Sequence, residues 1–415
     1  MNMYSLGIIA ILLGMYGVRL VLSIMNYNHR TSPIPENVSH IYTKARYQKW
    51  LNYNMENFRF GLITKGVSLI LIVTLLLTGL FAELANITQS WTSSELFGSL
   101  FFFGILFVAN QIVDTPFEYY QTFVIEAKYG FNKTTKKTFV LDIVKNIALS
   151  AVLGFGLLSG LFALVQAFED NLMLFVFGVW LGLAILFVLI ATFNGFFVRL
   201  FYKLSPLEEG TLRERIESLA SGVGFVLKRI FVMDASSRST KLNAFFTGLG
   251  KTKEIVLFDT LVDKLTEDEV MSVMAHEIAH SLHKDVHRMI GENVLVFGVY
   301  AAVLGFLFQT PEFALAFGFD QAHFGFTLIL FSVLISPISF LVNVPRMYLS
   351  RVAEFKADAY SATKVDRSHM MSALTTLARE DLGNLTPHPL YVALYYSHPP
   401  MSQRLAALSK LPSLT

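Results

Sequence analysis

The stretch TEDEVMSVMAHEIAHSLHKD, residues 266 to 285, decides how this chain is read, because it sets a His-Glu-x-x-His among long apolar runs. Thr266 followed three residues later by Glu269 forms a capping box, and Leu265 with Val270 occupies the staple positions that fix a helix entry. No Gly or Pro follows before Gly291, so the segment is predicted to be helical through the motif. On that helix His276 and His280 share a face, with Glu277 beside them. Two imidazoles so spaced can ligate one metal ion, and the intervening carboxylate can reach a water bound to it.

The third ligand decides whether the motif is more than a chance match. A third His six residues after the second would fall at position 286, which is Val286. His283 and His287 have the wrong spacing and read as residues of the helix surface or its last turn. The other solution is a Glu from a later helix, and SRVAEFKADAY (350 to 360) offers Glu354, with Asp358 one turn on. Asp358 can accept the outer N–H of a ligand imidazole and fix its tautomer. Three protein ligands with an open fourth place make a catalytic site rather than a structural one.

The chain around the motif is built for lipid. Of its 415 residues 53% are hydrophobic and only 15% charged, which points to a membrane protein. Without cysteine, disulfides, thiolate metal sites and cysteine nucleophiles are excluded, so any metal is held by nitrogen and oxygen. A formal net charge of +2 with no charged block gives no case for nucleic acid. Seven runs reach the ~20 residues that a helix needs to cross the bilayer. They lie near residues 5 to 25, 61 to 82, 97 to 117, 139 to 167, 172 to 200, 289 to 309 and 324 to 344.

Sidedness follows from the loops. Segment 26 to 60 holds Arg30, Lys44, Arg46, Lys49 and Arg59, and segment 118 to 138 holds Lys128, Lys133, Lys136 and Lys137. The alternate connections hold acids only: Glu83 and Glu95, Glu169 and Asp170, Glu312 and Asp320. The bias puts the N-terminus outside and both the 201 to 288 region and the C-terminus in the cytoplasm. Arg19, near the end of the first span, reads as a snorkelling side chain. The expected organisation is five spans within 1 to 200, a zincin domain over 201 to 288, two spans over 289 to 344, and a third-ligand helix with a C-terminal segment over 345 to 415. The fold class is an all-α seven-helix membrane protein with a small α+β metalloprotease domain.

With these residues in place, the chain resembles the CAAX prenyl protease type I family of integral-membrane zinc proteases, in the gluzincin clan. TFVIEAKYGFNKTT (122 to 135) is similar to the family's loop after the third span, LNAFFTGLGKTKEIVLFDTLV (242 to 262) to its strand hairpin, RVAEFKAD to its third-ligand helix, and SHPPMSQR (397 to 404) to its His-Pro-Pro motif. One departure stands inside the zinc motif, where Ile278 and Ala279 replace the family's Leu-Gly. The resemblance implies one zinc ion held by His276, His280 and Glu354, Glu277 as general base and proton shuttle, and Asp358 behind the ligands. It further implies His398 as an oxyanion or substrate contact, with Arg404 supporting that segment. The hairpin strands NAFFTG and EIVLFD would turn at Gly250, and Asn243, Ala244 and Phe245 would form an edge on which an extended substrate adds as a strand.

The activity so implied is removal of the C-terminal tripeptide from substrates with a prenylated cysteine, in a bacterial inner membrane or the endoplasmic reticulum. Two alternatives stand beside it. One is a quality-control metalloprotease acting on misfolded or stalled membrane polypeptides; the other is a non-catalytic scaffold with a vestigial metal site.

Overall fold

A computed structural model describes residues 2–248 and 253–414. Gly250, the expected turn residue, lies outside them. Among the described residues seven helices are long and apolar enough to cross a membrane. The first five are α1 (Met3–His29), α2 (Lys44–Thr78), then after the short α3 (Leu80–Ser90) α4 (Glu95–Tyr120), α5 (Lys136–Ala167) and α6 (Leu172–Phe201). Polar side chains start most of them: Thr43, Ser94, Thr135 and Asn171 each cap a free backbone N–H of the first turn.

The second span differs from its expected limits. Its helix starts at Lys44 and ends at Thr78, where Gly79 turns left-handed (φ 74°) and starts α3. Only Gly relaxes into that conformation without strain, so the chain breaks there although the apolar run continues. The polar segment 26 to 60 is thus largely helix, and α4 runs on through a π-helical turn to Glu126. Both segments belong structurally to the aqueous part of the molecule. Val38, Ile41, Trp50, Ile125, Tyr129 and Phe131 share one core with Met370, Leu374, Leu405 and Leu408 from near the C-terminus.

The aqueous part continues with β1 (Leu204–Pro206), α7 (Thr211–Gly222), β2 (Arg229–Met233), β3 (Ala244–Thr247), β4 (Glu254–Phe258) and α8 (Asp259–Lys264). The expected two-stranded hairpin proves to be half of a four-stranded sheet of order β1-β2-β4-β3. β2 lies parallel to β4, and the other two pairs are antiparallel. The missed strand, RIFVM at 229 to 233, is a short apolar run in which Ile230, Phe231 and Met233 are buried. Packed on this sheet is α9 (Glu267–Leu282), which carries the motif.

The last membrane pair is α10 (Asp285–Phe308) and, after α11 (Glu312–Leu315), α12 (Phe324–Ser361). With 38 residues α12 is about 57 Å long, nearly twice the hydrocarbon thickness. The one helix, with Pro337 and Pro345 inside it, thus joins the apolar run to the turns that carry Glu354 and Asp358. α13 (Arg367–Glu380), α14 (Pro389–Tyr395) and α15 (Met401–Ser409) close the aqueous part.

Candidate metal centre

The capping box holds: the Thr266 hydroxyl accepts from the Glu269 N–H (3.4 Å) and the Glu269 carboxylate accepts from the Thr266 N–H (2.8 Å). With its entry so fixed, α9 buries ten of its residues, among them Val270, Met274, Ile278 and Ala279. Ile278 and Ala279, the two departures from the family motif, are fully buried, and Ile278 packs with Ala220 and Phe225. α12 lies alongside, tied on by the Ser361 hydroxyl donating to the Ser272 carbonyl (2.6 Å).

That contact brings the sequence-predicted ligands together. His276 Nε2 and His280 Nε2 are 3.2 Å apart. Glu354 Oε2 lies 3.4 Å from the first and Oε1 lies 3.3 Å from the second, and all three ligand atoms fall within 4.8 Å of one another. Each outer imidazole nitrogen faces a carboxylate: His276 Nδ1 meets Asp358 Oδ1 at 2.9 Å, and His280 Nδ1 meets Asp285 Oδ2 at 2.9 Å. Those carboxylates hold the protons on Nδ1, so two Nε2 lone pairs converge on one point. Lone pairs so placed repel unless a cation sits between them. Two nitrogens bound tetrahedrally at zinc distances would lie about 3.3 Å apart, so the donor set fits such an ion.

Charge gives the same answer. Burial works to lower His276, but the hydrogen bonds to Asp358 and Glu354 outweigh it and lift the imidazole to about 9. The pocket thus stabilises positive charge where the ligand nitrogens meet. The carboxylates Glu277, Glu354 and Asp358 outnumber Arg404, the buried cation beside them, and a divalent ion would offset that negative charge. Glu277 itself is pushed above the usual carboxyl range by burial, with the two motif imidazoles pulling back. It lines, with His280 and Glu354, a cavity of about 370 Å³ beside the cluster.

The remaining expected residues fall around this cluster. His398 sits between α14 and α15, its Nδ1 2.8 Å from Glu354 Oε2, and is largely exposed. Arg404, expected to support that segment, clasps Asp358 through Nε (2.8 Å) and Nη2 (2.6 Å) and so ties α15 to α12. Arg351, which sequence reasoning missed, holds the segment as well; its Nη1 donates to the carbonyls of Val392 (2.8 Å) and Tyr396 (2.7 Å). Asn243, Ala244 and Phe245 lie on or next to β3, at the end of the sheet order; among the described residues β3 pairs with β4, and α6 approaches it where the Gly248 N–H donates to Asn194 Oδ1 (3.0 Å).

Asp285 was missed as well. The helix breaks after Leu282 although no Gly or Pro stands there, because Lys284 turns left-handed (φ 58°) and α10 starts at Asp285. A lysine held in that conformation stores about 1 kcal/mol or more. The turn folds the Asp285 carboxylate back onto His280, and Arg288, one turn further, lies 3.7 Å from it. His283 caps the end of α9 against the ring of Tyr360, and His287 lines the cavity.

Residues 23–203 match the family model described as CAAX prenyl protease N-terminal, five membrane helices, and residues 206–412 match that of peptidase family M48. The chain belongs to the M48 peptidases. As an M48 peptidase it is an integral multi-pass membrane metalloendopeptidase, with a metal as the implied cofactor and peptides or proteins as substrates. A protein of Oryza sativa subsp. japonica named CAAX prenyl protease 1 homolog is 32% identical, aligned over 98% of this chain and 97% of its own. CAAX prenyl protease 1 of Saccharomyces cerevisiae is 34% identical, over 75% of this chain and 72% of its own. The crystal structure of S. mikatae Ste24p superimposes with a TM-score of 0.92 at 28% identity, covering 98% of this chain and 99% of that one.

Proposed function

We propose that this M48 peptidase is a zinc-dependent protease that removes the C-terminal tripeptide from prenylated CAAX substrates. The observation that carries the reading is the convergence of His276 Nε2, His280 Nε2 and Glu354 on one point, with Glu277 beside it. Relatives at 32–34% identity bear the CAAX prenyl protease name, which supports the substrate class. The loop charges support a metal centre and C-terminus facing the cytoplasm.

His276, His280 and Glu354 would hold the ion, and Asp358 and Asp285 would fix the two imidazoles. Bound there, zinc would supply Lewis acidity to the scissile carbonyl and to the attacking water. Glu277 takes a proton from that water and returns it to the leaving amine. Burial raises its pKa, which favours its holding the proton between the two halves of the task. His398, exposed at the rim, contacts the developing oxyanion or the substrate. β3, at the end of the sheet order, takes the substrate backbone as an added strand along Asn243, Ala244 and Phe245.

The test is one paired assay on purified protein. About one zinc per chain should be found, a farnesylated CAAX peptide should be cleaved, and a chelator should stop it. Glu277→Gln should retain the metal and lose activity by about 10²–10⁴-fold. Cleavage that survives chelation, or an active Glu277→Gln enzyme, would overturn the mechanism. Turnover of unprenylated misfolded polypeptides with no action on the farnesylated peptide would overturn the substrate class.

A further inference from the structure

A second cavity, of about 530 Å³, lies between α1, α2 and α12 within the membrane-spanning part. The two helices that frame it touch at both ends. Tyr27 stacks on Phe58 at 4.0 Å at one end, and Ile8 and Ile9 pack with Leu76 at the other. The space between is lined by two cations, Arg19 and Lys65, and no acid. Arg19, read from the sequence as a snorkelling side chain, stays exposed and donates through Nη2 to Ser336 Oγ of α12 at 2.9 Å. Among the described residues neither cation has a carboxylate within ion-pair distance, while Ser23, Thr64 and Ser68 add hydroxyls to the same wall.

Arg19 and Lys65 are exposed to this space inside the apolar runs with no acid beside them, and charge at such depth is costly unless it is paired, so the two call for an anion. The substrate C-terminus cannot supply it during cleavage. Ser336 precedes Glu354 by 18 residues on one continuous helix, about 27 Å along its axis, whereas three extended residues reach about 10 Å. Leu12, Leu20, Leu62, Leu69 and Ile72 complete the lining, so the ligand has an apolar body as well as an anionic head. Lys65 stands near the start of the apolar run 61 to 82 and Arg19 in the last third of the run 5 to 25, both towards the metal-centre end, which places the cations in the leaflet on that side.

We propose that Arg19, Lys65 and Ser336 form a binding site for an anionic phospholipid, its phosphate between the two cations and its acyl chains along the leucines of α1 and α2. The site is separate from the metal centre and independent of the substrate read there.

Native mass spectrometry of the purified full chain, titrated with phosphatidylglycerol, phosphatidylcholine or inorganic phosphate, tests it. Wild type should retain phosphatidylglycerol in preference to phosphatidylcholine. The double variant Arg19→Gln, Lys65→Gln should bind phosphatidylglycerol about 30-fold more weakly, whereas Arg19→Lys should keep most of the affinity. Should the double variant not fold, Lys65→Gln alone should show a loss of about fivefold. Equal binding of the two lipids, or unchanged retention by the glutamine variants, overturns the site. Displacement of the lipid by equimolar inorganic phosphate overturns the amphiphile and leaves a phosphate site only.

Discussion

Helices α9 and α5 are both rich in apolar residues, yet they use them in opposite ways. α9, with 16 residues, buries ten of them inside the protein, whereas α5, with 32, buries none. Protein packs α9 on every side, so its apolar residues hold a charged cluster in register; α5 leaves its own to lipid. Apolar content alone therefore says little about where positional precision resides. It resides where side chains meet side chains, since a lipid tail accepts any apolar shape and a packed interior does not.

The comparison breaks most directly at Arg404. Arg404→Gln leaves Asp358 buried without its cation, which should cost about 3–5 kcal/mol of stability. Thermal unfolding of the detergent-purified variant checks this, and an unchanged melting point would mean that water reaches the cluster. A smaller effect separates the two helices themselves. Ile278→Ala in α9 should cost about 2–4 kcal/mol, as truncation in a packed core does. Val152→Ala on the exposed face of α5 should cost less than about 0.5 kcal/mol, because lipid fills the space. Similar losses in the two variants would erase the distinction.

Asp285→Ala probes positioning rather than packing. It should weaken zinc binding by about tenfold in a chelator competition while leaving the melting point of the metal-free protein nearly unchanged. The smallest effect belongs to Asp381, at the end of α13, whose carboxyl burial pushes up to about 6. The folded state therefore holds that proton more tightly than the unfolded chain. Its contribution to stability is full below about pH 4 and is lost as the pH rises through 6. At pH 7.5 the native protein carries an unfavourably buried charge, so Asp381→Asn should melt roughly 2–4 °C higher there, with the gain shrinking towards pH 4.

Much of this was legible in the chain itself, for a reason that particular elements make plain. Thr266 and Glu269, the spacing of His276 and His280, and the seven apolar runs are local patterns, and helix geometry converts such spacings into shared faces without outside help. The break at Gly79 also had its signal, although the continuing apolar run hid it. The break at Lys284 had none, because an ordinary lysine is held left-handed by what surrounds it. The strand at 229 to 233 was overlooked beside its stronger neighbours, and its parallel partner β4 could not be named from spacing.

By itself, then, the sequence determined that the chain crosses a membrane seven times and that one helix presents two imidazoles and a carboxylate together. Only the tertiary structure decided that Arg404 clasps Asp358 while Arg351 holds the segment bearing His398, that Asp285 turns back onto His280, and that Arg19 reaches Ser336. The first set rests on backbone periodicity over a few residues. The second rests on which helix faces meet, and a pairing such as Arg19 with Ser336, 317 residues apart, is fixed by the packing of whole helices.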